Sequence, residues 1–277
     1  MEGNSMSHQY LEKAAAVVDT VRKENPLVDC ITNFVTVNDC ANILLAFGAS
    51  PAMCDAYDVS YNFTRLSGAL YINMGTYIRE HEIAAVQSML AAKQTGIPVV
   101  IDPVGCAAIP KQIPLLNHLR GIGEIGIIKG NMGEIMALAG LKAEVKGVDS
   151  GGDIQGIEEA ALNVAKRYGC TVAATGKADV ITDGKLLARV DNGSEMLTKI
   201  TGAGCMVGAL CGAAAAAAKS AGEGMFSAAL AGIMAMGIAG DLAAEKAKLP
   251  GSFRVALMDS IYTVTGKTIL EKGKLTC

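Results

Sequence analysis

Short apolar runs alternate along the chain with longer segments in which apolar residues recur every three to four positions. The short runs predict strands and the periodic segments predict helices. The predicted strands are 27–31, 51–53, 69–73, 97–101, 125–128 and 171–174. The predicted helices between them are 38–47, 80–95, 131–139 and 156–168, with Asn38 as an N-cap and a glycine after each C-terminal end. The strands are apolar on both faces, which is typical of a parallel sheet covered by helices on both sides.

The pattern changes after residue 175. Two runs, 180–182 and 186–191, flank Asp183-Gly184, a dipeptide that favours a hairpin turn. Beyond Gly202 the pattern predicts no strand and three helices, 203–220, 223–246 and 252–270. We therefore predict a single α/β domain over residues 1–277, with a mostly parallel central sheet and a helical C-terminal part. Residues 1–8 are polar and are predicted to be disordered.

The composition narrows the class of protein. Hydrophobic residues make up 51% of the 277 positions and charged residues 18%, which excludes a disordered chain. The net charge is −3, without a basic stripe, so we expect neither nucleic acid nor an anionic membrane as a partner. The eight cysteines form no C-x-x-C pair and the sequence shows no signal peptide. We therefore predict a cytoplasmic protein whose cysteines are free thiols.

Two uncharged stretches, 200–218 and 224–240, are long enough to be considered as membrane spans. The first consists largely of glycine and alanine, which bury little apolar area. It also lacks an aromatic belt and an asymmetry of flanking basic residues. We therefore predict that both stretches are buried helices of a soluble protein rather than membrane helices.

The densest chemical signal is Thr201-Gly202-Ala203-Gly204-Cys205, just before a long helix of small residues. Glycines at a helix start leave backbone N–H groups open to a ligand, and with the helix dipole they form an anion site. Cys205 lies in the first turn, where the dipole is expected to lower the thiol pKa. The glycine spacing does not match the dinucleotide fingerprint, and Walker A, zinc-protease and α/β-hydrolase motifs are missing from the sequence.

Charged residues follow two of the predicted strands. Asp102 comes after the strand at 97–101, Lys129 after the strand at 125–128, and Glu134 opens the next helix. Ligands of open α/β sheets bind at the carboxyl ends of the strands. Two carboxylates and a lysine at this edge suit Mg²⁺ and nucleotide phosphates.

Taken together, these segments resemble the hydroxyethylthiazole kinase family, whose members have a ribokinase-like fold. The similarity runs from about residue 25 to about residue 270. It is carried by the following segments: Ile31-Thr32-Asn33-x-Val35-Thr36-x-Asn38-x-x-Ala41-Asn42, Gly48-Ala49-Ser50-Pro51-x-Met53, Asp102-Pro103-Val104-Gly105, Lys129-Gly130-Asn131-x-x-Glu134 and Thr201-Gly202-x-Gly204-Cys205. Other ribokinase-like kinases have Asp where Cys205 stands, so the cysteine is the discriminating residue.

The resemblance implies that ATP and Mg²⁺ phosphorylate the hydroxyl of 4-methyl-5-(2-hydroxyethyl)thiazole in thiamine salvage. It also implies a homotrimer with substrate pockets near the subunit interfaces. The implied roles are catalysis for Gly202, Ala203, Gly204 and Cys205, ATP binding for Lys129, Asn131 and Thr175, substrate binding for Asn33, Met53 and Gly202, and metal binding for Asp102 and Glu134. The position of Lys129 is usually Arg in this family, and lysine lacks the bidentate fork of arginine.

Two other functions stay open on the sequence. One is a different ribokinase-like kinase, acting on hydroxymethylpyrimidine or a sugar. The other is a non-catalytic relative that binds a thiazole or a nucleotide. Cys205 and the segment 33–42 argue against the first, and the joint presence of Asp102, Glu134 and the glycine-rich segment argues against the second.

Overall fold

One mixed sheet organises the protein in a computed structural model, which describes residues 2–76, 78–109, 111–141 and 154–277. The strands are β1 Leu27–Ile31, β2 Ser50–Ala52, β3 Ala69–Asn73, β4 Val99–Asp102, β5 Ile127–Asn131, β6 Thr171–Thr175, β7 Asp179–Thr182, β8 Leu187–Val190 and β9 Leu275–Thr276. Their order is β2-β1-β3-β4-β5-β6-β7-β8-β9. The pairs from β2 to β6 are parallel, and β7, β8 and β9 are antiparallel.

Helices cover both faces of the sheet. They are α1 Glu2–Glu24, α2 Val37–Phe47, α3 Ser60–Thr64, α4 Arg79–Thr95, α5 Gln112–Ile122, α6 Met132–Leu138, α7 Ile154–Tyr168, α8 Ala203–Ser220, α9 Met225–Lys246, α10 Pro250–Thr263 and α11 Gly266–Lys272. A 3₁₀ helix, Glu195–Lys199, precedes α8. Neighbouring residues of a strand serve opposite cores: Tyr71 packs with α8 and α9, whereas Leu70 and Ile72 pack with α4 and α5. This confirms the predicted α/β class with helices on both faces.

The N-terminal helix α1 was not predicted from the pattern. It begins at Glu2, so residues 2–8, which were expected to be disordered, are part of this helix. Met1 lies outside the described residues. Its buried stripe of Ala14, Val17, Val18 and Val21 packs on the core shared with α8 and α9. Burial of this apolar stripe stabilises α1 through tertiary packing, which explains why the segment is helical.

The C-terminal end also differs from the prediction. The predicted helix 252–270 is two helices, because Thr265 caps α11 and Arg22 donates to the carbonyls of Ile261, Tyr262 and Val264 at the end of α10. A strand, β9, follows α11 and pairs with β8, whereas the sequence predicted no strand beyond Gly202. Both corrections depend on contacts with residues far away in the chain, which local periodicity does not contain.

Smaller differences concern single elements. Helix α2 begins at Val37 with Thr36 as N-cap, so Asn38 lies inside the first turn. Helix α3, which is only one turn long, lies in a segment for which the pattern gave no element. The glycines expected after α2 and α4 have the left-handed conformation that ends a helix, with φ of 102° at Gly48 and 66° at Gly96.

Helices α8 and α9 are long and apolar enough to cross a membrane by length and composition alone. In the structure, 78% of the most apolar 18-residue segment of α8 and 83% of that of α9 are buried inside the protein. They cross closely, since a Cβ on Gly232 of α9 would lie 2.9 Å from the backbone nitrogen of Cys211 on α8. Small residues therefore let two backbones pack together, as the sequence predicted for buried helices.

A carboxyl group is buried beneath α3. Asp29 of β1 has no exposed surface, and its Oδ2 lies 2.6 Å from the Thr64 hydroxyl, which is 2.8 Å from that of Ser88. Its Oδ1 has no hydrogen-bond partner among the described residues. Burial raises the pKa of Asp29 to about 6, against ~3.9 in an unfolded chain. The folded protein therefore holds this proton more tightly than the unfolded chain does.

We predict that the free energy of unfolding falls as the pH rises from 5 to 8, and that Asp29→Asn removes about 1–2 kcal/mol of that fall. Asp29 destabilises the fold once its proton is lost, so the penalty grows as the pH rises through the folded pKa. Urea denaturation at both pH values measures the effect. Asp58→Asn, at a solvent-exposed carboxylate, is the control, and an unchanged pH dependence in Asp29→Asn would contradict the prediction.

Candidate active site

Polar side chains from neighbouring parallel strands meet at the carboxyl edge of the sheet. Asn33 follows β1, Asn73 ends β3 and Asp102 ends β4, and all three are buried. The Asn33 amide donates to Asn73 Oδ1 over 2.9 Å and lies 3.5 Å from Cys205 Sγ. The structure therefore brings together Asn33, Asp102 and Cys205, which the sequence placed in one site.

A buried ion pair forms the floor of this site. Lys129 Nζ donates to Asp102 Oδ2 over 3.1 Å, and neither side chain is more than 3% exposed. Burial raises the pKa of Asp102, and the charge of Lys129 opposes that shift. Burial alone would lower the pKa of Lys129, but the Asp102 and Glu134 carboxylates raise it. Lys129 is therefore a fixed positive charge, and the second oxygen of Asp102 has no partner among the described residues.

The glycine-rich segment lies directly above this pair. Gly202 precedes α8 with φ of 81°, a conformation that an L-residue adopts only with strain. A Cβ on Gly204 would lie 3.1 Å from Lys129 Nζ. The first turn of α8 thus combines the positive end of the helix dipole with a lysine charge, an arrangement that favours an anion.

Cys205 corrects an expectation from the sequence. Its side chain is buried in the first turn of α8, but the helix dipole does not make it acidic. Burial raises the pKa of the Cys205 thiol, the negative charge of Asp102 adds to that shift, and Lys129 opposes it. Dipole effects at helix ends are small compared with the cost of ionising a group away from water. Cys205 is therefore a thiol at neutral pH.

Glu134 and Asn131 organise the loops around the site. Asn131 accepts from the Glu134 backbone N–H over 2.9 Å, and Glu134 Oε2 accepts from the Asn131 N–H over 2.7 Å, which forms a capping box at the start of α6. The other oxygen of Glu134 accepts from the Gly105 N–H over 2.8 Å. One carboxylate thus links the loop after β4 to the start of α6.

The two remaining predicted residues lie at the same edge of the sheet. Thr175 ends β6, and its hydroxyl donates to the Gly130 carbonyl over 3.3 Å. Met53 follows β2, is half-buried and packs against the core that contains α8. In the sheet order Thr175 is two strands and Met53 three strands away from β4, which carries Asp102, and no described hydrogen bond joins either residue to Asp102.

Sequence reasoning missed three groups of the site, which are Tyr71, the pair of Asp39 with Arg254, and Asn73. Tyr71 lies in the middle of β3, where an apolar run gives no sign of chemistry, yet its hydroxyl is 3.2 Å from Asp102 Oδ2. Asp39 of α2 pairs with Arg254 of α10 close to Gly202. Only Asn73, at a predicted strand end, carried a signal of the kind that identified Asp102.

The chain is similar to known proteins over most of its length. The hydroxyethylthiazole kinase family model matches residues 18–267. Hydroxyethylthiazole kinase 2 of Clostridium botulinum is 52% identical over 259 residues, which cover 94% of this chain and 97% of that protein. Hydroxyethylthiazole kinase of Clostridium kluyveri is 52% identical over 270 residues, covering 98% and 99%.

Solved structures show the same fold. Hydroxyethylthiazole kinase protein of Pyrococcus horikoshii OT3 superimposes with a TM-score of 0.85 at 36% identity, covering 95% of this chain and 97% of that one. Bacillus subtilis pyridoxal kinase, solved as an ADP complex, gives a TM-score of 0.58 at 17% identity, covering 77% and 90%. The second likeness supports the ribokinase-like fold alone.

The geometry at Gly202 yields a prediction about stability. An alanine Cβ at Gly202 would lie 2.8 Å from Thr36 Cγ2, in addition to the strain of the positive φ. Gly222 has a φ of 72° and nothing within 4 Å of the corresponding position, so Gly222→Ala has the backbone strain without the contact. We expect Gly202→Ala to lower the free energy of unfolding by about 1–3 kcal/mol more than Gly222→Ala does. Equal losses in urea denaturation would contradict the described packing.

Proposed function

The chain belongs to the hydroxyethylthiazole kinase family, and we propose that it transfers the γ-phosphoryl group of ATP to the hydroxyl of 4-methyl-5-(2-hydroxyethyl)thiazole in thiamine salvage. The observation that supports this reaction most directly is the Lys129–Asp102 pair beneath the first turn of α8. The Lys129 ammonium lies close to Gly204 in the first turn of α8, so the cation and the backbone N–H groups at this helix start can together stabilise a phosphoryl group in transfer.

We assign the roles of the residues as follows. The backbone N–H groups of Gly202, Ala203, Gly204 and Cys205 hold the transferred phosphoryl group. Lys129, Asn131 and Thr175 form the side of the site that receives ATP, and Asn33, Met53 and Gly202 form the side that receives the thiazole. Lys129 is too deeply buried to grip the outer part of a nucleotide, so we place its charge at the γ-phosphate end.

In the transfer, the bond between the γ-phosphorus and the β–γ bridging oxygen breaks while a bond to the substrate hydroxyl oxygen forms. ADP leaves with the bridging oxygen on its β-phosphate, and the hydroxyl proton passes to solvent water as the new ester bond forms. Because the transition state is loose, little proton removal is needed early, and positioning contributes most of the rate. The Cys205 thiol, protonated at neutral pH, orients the hydroxyl instead of acting as a strong base.

The residues fit a Mg²⁺ ion that arrives with ATP. One oxygen of Asp102 has no partner among residues 2–76, 78–109, 111–141 and 154–277, and each Glu134 oxygen accepts one backbone N–H, which leaves room for a further ligand. The described residues contain no group of three metal-binding side chains, so the protein offers no complete cage. One or two carboxylates with phosphate oxygens are the usual ligands of Mg²⁺. Bound there, the ion supplies positive charge at the phosphates, with Asp102 and Glu134 as its protein ligands.

We further propose one domain over 1–277 and a cytoplasmic homotrimer. Phe34 and Val35 are 68% and 53% exposed, although they lie in the sequence between two buried residues, Asn33 and Thr36. Large apolar groups at the rim of a site are typical of a surface that another chain covers.

All eight cysteines are free, in agreement with a reducing compartment.

A substrate panel tests the proposed reaction. Purified protein with ATP and Mg²⁺ is assayed for ADP release with the thiazole alcohol, hydroxymethylpyrimidine, pyridoxal and ribose. We expect the thiazole alcohol to have a kcat/KM at least a hundredfold above the others, because Cys205 and the Asn33 loop match the thiazole-specific family. A preference for another alcohol would reject the substrate, and ATP binding without turnover of any would reject the enzyme.

Two variants test the assigned roles. Asp102→Asn keeps the volume but removes the charge that faces Lys129, so we expect kcat to fall about a thousandfold or more. Cys205→Ala removes only an orienting contact, so we expect a loss of roughly ten- to a hundredfold. Steady-state kinetics and thermal melting of both variants measure this. Full kcat in Cys205→Ala, or in Asp102→Asn, would show that the corresponding role is wrong.

A further inference from the structure

Tyr71 is a buried aromatic residue with an unusual set of polar neighbours. Its ring lies in the middle of β3, under α8, and has no exposed surface. Its hydroxyl lies 3.2 Å from Asp102 Oδ2 and 3.0 Å from the Cys205 carbonyl oxygen, and it accepts from the Asn73 amide over 2.9 Å. A phenylalanine would fill the same core volume, so packing does not explain why the hydroxyl is there.

The neighbouring helix is shaped around this ring. A Cβ on Gly208 of α8 would lie 2.6 Å from the Tyr71 hydroxyl and ring, closer than any real contact of that kind. On the next turn, a Cβ on Gly212 would lie 3.6 Å from Tyr71 Cβ. Gly208 thus leaves the notch in which the ring is held, and Gly212 lets the helix backbone approach Val28 and the start of the Tyr71 side chain. The hydroxyl therefore has a fixed position below the first turn of α8.

The hydroxyl has one proton and three polar neighbours. It donates to Asp102 or to the Cys205 carbonyl, and the Asn73 amide donates to it. With Lys129 on the same oxygen, Tyr71 completes the partners of Asp102 Oδ2, while Oδ1 has no hydrogen-bond partner in the part of the chain that the structure describes. One phenol therefore connects the carboxylate at the end of β4 with the helix turn that carries Cys205.

We infer that Tyr71 is a positioning residue of the phosphoryl-transfer reaction: its hydroxyl fixes the rotation of the Asp102 carboxylate and the height of the first turn of α8 above it. This inference rests on the proposed function, because it acts through Asp102 and Cys205. It assigns a role in turnover rather than in binding, since the hydroxyl lies beneath the groups proposed to hold the transferred phosphoryl group and not beside either substrate.

Tyr71→Phe is the direct test, because it removes the hydroxyl and keeps the ring in its notch. We expect kcat to fall about tenfold or more, the scale of a lost hydrogen bond to a charged group. We expect the KM values for ATP and for the thiazole alcohol to stay within about twofold, because only the alignment of the reacting groups changes. Rates are normalised to the folded fraction from circular dichroism.

Tyr168→Phe is the matched control. Its hydroxyl donates to Asn117 over 3.0 Å at the far end of α7, away from the site, so kcat should stay at the wild-type value. Gly208→Ala is a second variant, which keeps the hydroxyl but displaces the ring, and we expect it to lower kcat with little change in KM.

The outcomes separate the two proposals. If the wild-type protein does not phosphorylate the thiazole alcohol but does phosphorylate another alcohol of the panel, the proposed substrate fails and Tyr71→Phe is measured with that alcohol. If Tyr71→Phe keeps kcat within threefold of the wild type, the inference is overturned while the proposed reaction stands. A fall in kcat/KM that lies entirely in KM would also overturn it, because it would place Tyr71 in substrate binding.

Discussion

The structure of the site depends on one buried ion pair, Lys129 with Asp102. Removing two charges from water costs several kcal/mol for each ion, and mutual attraction offsets this only where the geometry is held closely. The surrounding elements provide that geometry. The paired strands β4 and β5 hold the backbones of Asp102 and Lys129, and the contact with the Tyr71 hydroxyl restricts the rotation of the Asp102 carboxylate. The first turn of α8 then lies directly over a cation that cannot leave. The position of the Lys129 charge beneath α8 is thus set by the fold before any ligand arrives.

The part of the fold that was predicted is the part that local pattern encodes. The bounds predicted for β1 and β3 agree with the structure to the residue. A strand that is buried on both faces is a mostly continuous run of apolar residues, and this pattern is visible in the sequence itself. Long-range contacts produced the remainder. Strand β9 exists because β8 offers an unpaired edge, and the break between α10 and α11 exists because Arg22, on α1, holds the end of α10. Neither partner is near in sequence.

The candidate site divides in the same way. Asp102, Lys129 and Gly202 were found because strand ends and glycine-rich helix starts have a local signature. Tyr71 was missed because a tyrosine in an apolar strand looks like core, and only the sheet register places its hydroxyl beside Asp102. For Cys205 the location was right and the expected acidity was wrong. The sequence shows the helix dipole at that position, but it does not show how deeply the sulfur is buried.

The glycines of α8 also have a mechanical consequence. A helix that packs through long side chains can adjust its position, since those side chains change rotamer to fill the gap. At two points, where Gly208 faces the Tyr71 ring and where Cys211 faces Gly232 of α9, the helix backbone lies directly against its neighbour, so no long side chain there can change rotamer to absorb a displacement. A displacement of α8 toward these neighbours would push its backbone into the Tyr71 ring or into the backbone of α9. The position of the helix that carries Gly202, Gly204 and Cys205 at its start is therefore fixed by direct contact of backbone atoms.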